Sequence, residues 1–272
     1  MMMRYFLSLF LFLLIACDFQ GNNSTQNLQF KDDIEEIFGK FDIKGTILVY
    51  DAKRNVYYSN NFELADQGRL PASTFKIVNS IVALETNVLK DENEVLKYHG
   101  EKRAFESWEK DMTVREAFQA SCLPCFQEVA KHIGVKRMKS FLNKLQYNNM
   151  DVNAGTIDNF WIKGNSHISP LEQINFLERF YTKKLPILNS TYDKMIRIFE
   201  KEYAENYRYF GKTGWSDDQG INNGWYVGIV DRGPEVYYFA LNVEPIDQND
   251  LSKFLTAREQ ATQEVLKLLK II

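Results

Sequence analysis

The sequence predicts an α+β fold of α/β-sandwich type, with an antiparallel sheet flanked by helices and a mostly helical second lobe beside it. Three observations carry this. Segments rich in β-branched and aromatic residues lie near both ends of the chain, at 45–60 and 207–243. Between them, from residue 73 to about residue 203, apolar residues recur at helical spacing. Apolar residues make up 45% of the 272 residues and aromatic ones 14%, enough for one large packed domain.

The elements follow in order. Residues 1–16 read as a targeting segment: Arg4 supplies the positive end, and Tyr5 to Ala16 is apolar apart from Ser8. That run is too short for a membrane span and suits a signal peptide. Its end, Leu14-Ile15-Ala16-Cys17, resembles a bacterial lipobox, which implies a lipidated Cys17 at the mature N-terminus. Residues 17–29 then form a polar tether, and 30–272 a single catalytic domain. Ile34–Phe41 reads as a helix. Gly45–Tyr50 and Asn55–Asn60 read as a hairpin across the turn 51–54. Residues 73–89 form a helix, 113–145 is largely helical, and 170–181 and 190–203 are further helices. Strands follow at 207–212, 225–230 and 236–243, separated by turns at Asp217–Gly220 and Asp231–Pro234. Residues 251–270 close the chain as a helix. Strands from both ends can then share one sheet, and the cleft between sheet and helical lobe is the natural site.

Composition removes several functions. The formal charge is −3 with no basic stripe, so nucleic acid is not an expected partner. Gly211-Lys212-Thr213 imitates the end of a phosphate loop, but Asn206 stands where that motif needs glycine, and turn and strand residues follow it. His99, His132 and His167 have no Gly-x-Ser-x-Gly elbow to serve and read as surface or helix-side residues. Cys122 and Cys125 form a C-x-x-C without the βαβ context of a thioredoxin-like site or the further ligands of a zinc site. They read as packing residues, as free thiols or as a disulfide. No metal is expected. Phe105 and Trp108 read either as lining the cleft or as packing of the helical lobe, with packing preferred.

The chemistry begins at Ser73-Thr74-Phe75-Lys76. Three residues apart on a helix, Ser73 and Lys76 share one face. A serine hydroxyl is a poor nucleophile until a base takes its proton, and a lysine with lowered pKa or altered amine can be that base. Lys212-Thr213-Gly214 supplies a second lysine from a strand. Ser-x-x-Lys with Lys-Thr-Gly is the signature of serine enzymes that open β-lactams or are inhibited by them.

The ordered set resembles one family, the class D (oxacillinase-type) serine β-lactamases. Besides those two motifs, Ser121-Cys122-Leu123-Pro124 resembles its Ser-x-Val element, Asp158-Asn159-Phe160-Trp161-Ile162 its tryptophan segment, and Gly224-Trp225-Tyr226-Val227-Gly228 the strand beside Lys-Thr-Gly. Arg258 falls where that family holds the substrate carboxylate. The resemblance implies hydrolysis of small-molecule β-lactams, antibiotic resistance, and a periplasmic lipoprotein anchored to the membrane through Cys17. It implies Ser73 as nucleophile and Lys76, carboxylated by CO2, as general base, with no other cofactor. Trp161 would hold the carbamate, and Ser121 would relay a proton to the leaving nitrogen. Backbone N–H groups of Ser73 and Trp215 would form the oxyanion hole, and Lys212, Thr213, Gly214, Trp215 and Arg258 would bind substrate. Two positions depart from the pattern. The family's Tyr-Gly-Asn is Tyr147-Asn148-Asn149, where asparagine can keep a left-handed turn. Its Ser-x-Val valine is Leu123, longer and able to crowd access to Lys76. A penicillin-binding peptidase carries a polar asparagine at that position. A non-hydrolysing β-lactam sensor carries the same motifs on several membrane spans, whereas one cleavable segment is read here.

Overall fold

The computed structural model describes residues 27–204 and 206–272. The targeting segment, Cys17 and the tether up to residue 26 lie outside them. The strands are β1 (Asn27–Phe30), β2 (Ile43–Asp51), β3 (Val56–Ser59), a small ribbon of β4 (Val95–Leu96) and β5 (Met112–Thr113), then β6 (Glu200–Ala204), β7 (Tyr207–Asp218), β8 (Ile221–Asp231) and β9 (Val236–Pro245). The main sheet has the order β1-β3-β2-β9-β8-β7-β6. Strands from the two ends of the chain meet at its centre, where Ile43 pairs with Pro245 and Asp51 with Tyr237.

The helices are α1 (Asp33–Lys40), α2 (Phe62–Ala65), α3 (Lys76–Glu85), α4 (Val114–Gln119), α5 (Leu123–Ile133), α6 (Val135–Leu145), α7 (Pro170–Tyr181), α8 (Asn189–Phe199) and α9 (Phe254–Leu268). They make the layers on either side of the sheet. Alternate residues of β2 show this: Ile47 and Val49 face one core with α1 and α9, while Leu48 and Tyr50 face the other with the helical lobe. A strand covered on both faces is buried almost continuously, as Thr46 to Asp51 are. α3 runs through the lobe and is buried from Lys76 to Leu84, the pattern of a helix enclosed on all sides. Local chemistry fixes several ends. Ser169 and Glu172 form a capping box at α7: Ser169 Oγ accepts from the Glu172 N–H at 3.2 Å, and Glu172 Oε2 accepts from the Ser169 N–H at 2.8 Å. Thr113 and Glu116 do the same for α4.

The structure corrects or refines several expectations. The sheet is mixed, not wholly antiparallel, because β1 pairs parallel with β3 from Asn27↔Val56 to Phe30↔Ser59. The last residues assigned to the tether are therefore an edge strand. The helix expected over 190–203 stops at Phe199, and Glu200–Ala204 turn into β6 because the edge of β7 offers hydrogen-bond partners there. The helix expected from residue 73 begins as a 3-10 turn, Ala72–Phe75, with α3 starting only at Lys76. The long helical stretch is cut into α4, α5 and α6, at Ser121–Cys122 and at Gly134, whose φ of +75° suits glycine.

Candidate active site

The site is built from the 3-10 turn, the break between α4 and α5, the loop before α7, strand β7 and helix α9. Ser73 sits in the turn Ala72–Phe75 and Lys76 opens α3. Lys76 Nζ lies 2.9 Å from Ser73 Oγ. The lysine is only 1% exposed, with the Phe126 ring 5.3 Å from its nitrogen. Burial disfavours its ammonium and lowers its pKa to about 7.

The turn is held in an unusual conformation. Ala72 has a φ of +50°, in the left-handed region that side chains with a Cβ avoid. Its N–H donates to Trp161 O at 2.7 Å, which braces the turn against the tryptophan segment. Gln173 from α7 donates to Thr74 Oγ1 at 2.8 Å, and that hydroxyl donates to Pro71 O at 2.6 Å. Leu70 O accepts from both Asn223 Nδ2 at 3.0 Å and Trp225 Nε1 at 2.8 Å. Strand β7 passes close by: a Cβ on Gly214 would stand 3.2 Å from Thr74 Cγ2 and 3.3 Å from Ala72 Cβ. Glycine in Lys-Thr-Gly therefore lets the strand approach the nucleophile turn. Trp161 is fully buried, stacked on Phe75 at 5.6 Å, and its Nε1 finds no hydrogen-bond partner among the described residues.

Opposite Ser73, Lys212 Nζ donates to Ser121 Oγ, and to Thr213 O at 3.0 Å. Ser121 also takes a left-handed φ, +54°, and its Oγ lies 3.5 Å from Thr213 Oγ1. Lys212 is 2% exposed. Its pKa is held well below the ordinary value, first by burial and then by the charges of Lys76, Arg258 and Lys201. Arg258 from α9 donates to Gly214 O, and to Leu255 O at 2.7 Å. Burial lowers its pKa to about 10. Gly224 makes room for it, since a Cβ there would come within 2.8 Å of Arg258 Cδ. Among the described residues the hydrogen-bond partners of Lys212 and Arg258 are hydroxyls and carbonyls, and Glu259 acts on both only through its charge.

Ser73, Ser121, Thr213, Gly214, Trp215 and Arg258 line one cleft of about 470 Å³. Lys76, Lys212 and Trp161 lie buried behind it. Phe105, Trp108, Leu123, Ile162 and Leu255 supply its apolar walls. Of the two alternatives, both residues line the cleft; Trp108 is also packed into the lobe, whereas Phe105 is 41% exposed, which corrects the preference for core there. Cys122 and Cys125 are joined in a disulfide, which settles the two alternatives. Asn148 lines a separate depression with Glu172 and Arg179, away from the cleft. The left-handed residue of that segment is Asn149, at φ +61°. Sequence reasoning missed Gln173, Asn223 and Arg103. Gln173 reaches the Thr74 hydroxyl, Asn223 reaches Leu70 O, and Arg103 reaches Trp108 O and the two cysteine sulfurs, and no local motif marks such contacts.

A serine within reach of a buried lysine, faced across a cleft by a lysine–threonine–glycine strand, defines a penicillin-binding serine acyl-transfer domain. The chain accordingly matches the penicillin binding protein transpeptidase domain over residues 42–267. It is 34% identical over 234 residues to beta-lactamase OXA-5 of Pseudomonas aeruginosa, covering 84% of this chain and 87% of that one. It superposes on the class D beta-lactamase of Sebaldella termitidis with a TM-score of 0.84 at 35% identity, over 90% of this chain and 99% of that one. The chain belongs to the class D β-lactamases, which are enzymes of the serine type. The C-terminal domain of the Bacillus licheniformis BlaR penicillin receptor shares the fold, with a TM-score of 0.83 at 22% identity.

Proposed function

We propose that the protein hydrolyses the β-lactam amide bond through an acyl-enzyme on Ser73 and so confers β-lactam resistance. One observation carries this: a buried lysine with lowered pKa stands 2.9 Å from the serine oxygen. Its neutral amine is the form that can combine with CO2. The orphaned Nε1 of Trp161 is a donor suited to a carbamate oxygen, because a buried N–H left unpaired is costly. When formed, the carbamate supplies the base for the Ser73 proton and later for the hydrolytic water. Ser73 attacks the lactam carbonyl, and the backbone N–H groups of Ser73 and Trp215 hold the oxyanion. Ser121, hydrogen-bonded to Lys212, passes a proton to the ring nitrogen as the C–N bond breaks. Arg258, Lys212 and Thr213 hold the substrate carboxylate, which supplies the negative charge this wall lacks.

Turnover of a chromogenic cephalosporin tests the reading. Steady hydrolysis is expected. A single stoichiometric burst with no turnover would make the chain a binding domain of sensor type. Apolar Leu123 on the cleft wall, in place of the polar asparagine of a penicillin-binding peptidase, supports the hydrolase.

The same reading places the protein in the periplasm, anchored through lipid on Cys17, on the support of the lipobox-like Leu14-Ile15-Ala16-Cys17. Cys17→Ser should move the protein from the membrane fraction to the soluble one, or leave its precursor uncleaved. Wild-type protein found wholly soluble with an unmodified N-terminus would remove the anchor.

A further inference from the structure

The disulfide Cys122–Cys125 follows Ser121 directly, and the residue it encloses after Cys122 is Leu123. Ser121 has a left-handed backbone and sits at a break between two helices, where chain alone would not hold it. It is held from both sides. On the N-terminal side, Trp108 Nε1 donates to Ala120 O at 2.9 Å. On the C-terminal side, the Cys122 N–H donates to Ala117 O at 2.9 Å, and the disulfide ties Cys122 into the first turn of α5. One buried side chain links the two supports. Arg103, 5% exposed, donates to Trp108 O at 2.8 Å and places the same nitrogen 3.8 Å from Cys122 Sγ and 3.6 Å from Cys125 Sγ. Glu101 holds the other side of the guanidinium, accepting from Nε at 2.6 Å.

We propose that the Cys122–Cys125 disulfide and Arg103 form a positioning clamp for Ser121, so that the proton relay to the leaving nitrogen depends on an intact S–S bond. This rests on the relay role given to Ser121 above. A disulfide that closes so short a loop restrains the unfolded chain least, so its effect is local rather than global. The sulfurs are buried, Cys122 at 0% and Cys125 at 4% exposure, so the clamp persists in the folded protein. It adjoins Ser121 in the chain, so its loss should lower kcat more than it raises KM.

The test is a double-mutant cycle on the full chain, between the pair Cys122→Ala/Cys125→Ala and Ser121→Ala, with rates referred to folded protein measured by circular dichroism. With Ser121 present, removing the disulfide should lower kcat by about tenfold, the scale of a small misplacement at a reacting group. With Ser121→Ala already in place, removing it should change kcat less than about twofold, because coupled residues are not additive. Equal losses in both backgrounds, or no loss in either, would overturn the clamp. If Ser121→Ala alone leaves kcat unchanged, the relay role fails, and the clamp with it. If oxidised wild type does not turn over at all, the hydrolase reading has failed instead. Should the alanine pair not fold, Arg103→Met takes its place in the same cycle, with the same expected pattern.

Discussion

Lys76 and Lys212 are both buried, both within reach of a serine oxygen, and both held below the ordinary lysine pKa by burial. Their surroundings differ. Lys76 stands at the head of a fully buried helix, against Phe126, with Ser73 as its hydrogen-bond partner. Lys212 lies among acceptors, Ser121 Oγ, Thr213 O and Thr213 Oγ1, and is repelled by the charges of Lys76, Arg258 and Lys201. Burial lowers both pKa values, and for Lys212 the neighbouring cations lower it further while Glu259 opposes them. In the mechanism proposed above, the lysine in the apolar slot is the reagent and the lysine among acceptors helps receive the substrate anion, whose charge would favour its ammonium. On that proposal one residue type serves opposite ends of the reaction, and its surroundings decide which.

The largest expected effect comes from removing the reagent. Lys76→Met should lower turnover by at least about 10²–10⁴, the range for loss of a positioned general base, and leave drug trapped on Ser73, read by mass spectrometry of the acyl-enzyme. The same change should stabilise the protein. Lys76 titrates near 7 when folded and near 10.5 when unfolded. Between those values the unfolded chain binds more protons, so the residue's contribution to stability rises with pH across that window and is least favourable below 7. The gain in melting temperature for Lys76→Met should therefore be larger at pH 6 than at pH 9. An equal gain at both would mean that Lys76 is not the buried titrating group.

Removing the receptor should act differently. Arg258→Ala should raise KM by about tenfold to a hundredfold for carboxylate-bearing substrates, matching about 1.5–3 kcal/mol for a charge-assisted contact, with kcat less affected. Unchanged KM in steady-state kinetics would take Arg258 out of the substrate site.

A third measurement separates the two lysines by pH. Only the neutral amine of Lys76 can combine with CO2, so turnover at low bicarbonate should rise through a midpoint near pH 7. Added bicarbonate should restore part of the acid-side loss. Rates flat in both variables would leave the free amine as base. The smallest effect is expected for Trp161→Phe, which keeps a ring to stack on Phe75 and deletes only the orphaned Nε1. Its turnover should depend on bicarbonate more steeply than wild type, by a few-fold, with little change in melting temperature. Equal dependence would remove Trp161 as the carbamate's donor.

Much of this was legible in the sequence. Ser73, Lys76, Ser121 and Lys212 stand in ordered motifs, Arg258 follows from the family resemblance, and the helix read over 170–181 is α7 with those bounds. The parts that escaped share a cause. The parallel pairing of β1 with β3, the turn of 200–204 into a strand against β7, and the bracing of the nucleophile turn by Gln173 at Thr74 Oγ1 and by Asn223 at Leu70 O all depend on partners outside the segment itself. A local window carries no trace of such partners. Arg103 stands in no motif, and only the fold sets it against two sulfurs.

The central pairing of β2 with β9 has a consequence for how the protein comes into being. β7, β8 and β9 can form a meander from neighbouring sequence, but joining β9 to β2 closes a loop that contains the whole helical lobe. Such long-range closure loses chain entropy before any contact repays it, so it is slow and comes late. Ser73 belongs to the early part of the chain and Lys212 to Trp215 to the late part. A chain in which the late strands have not yet docked has a serine without the strand that faces it, so the complete site requires both ends of the sequence to be in place.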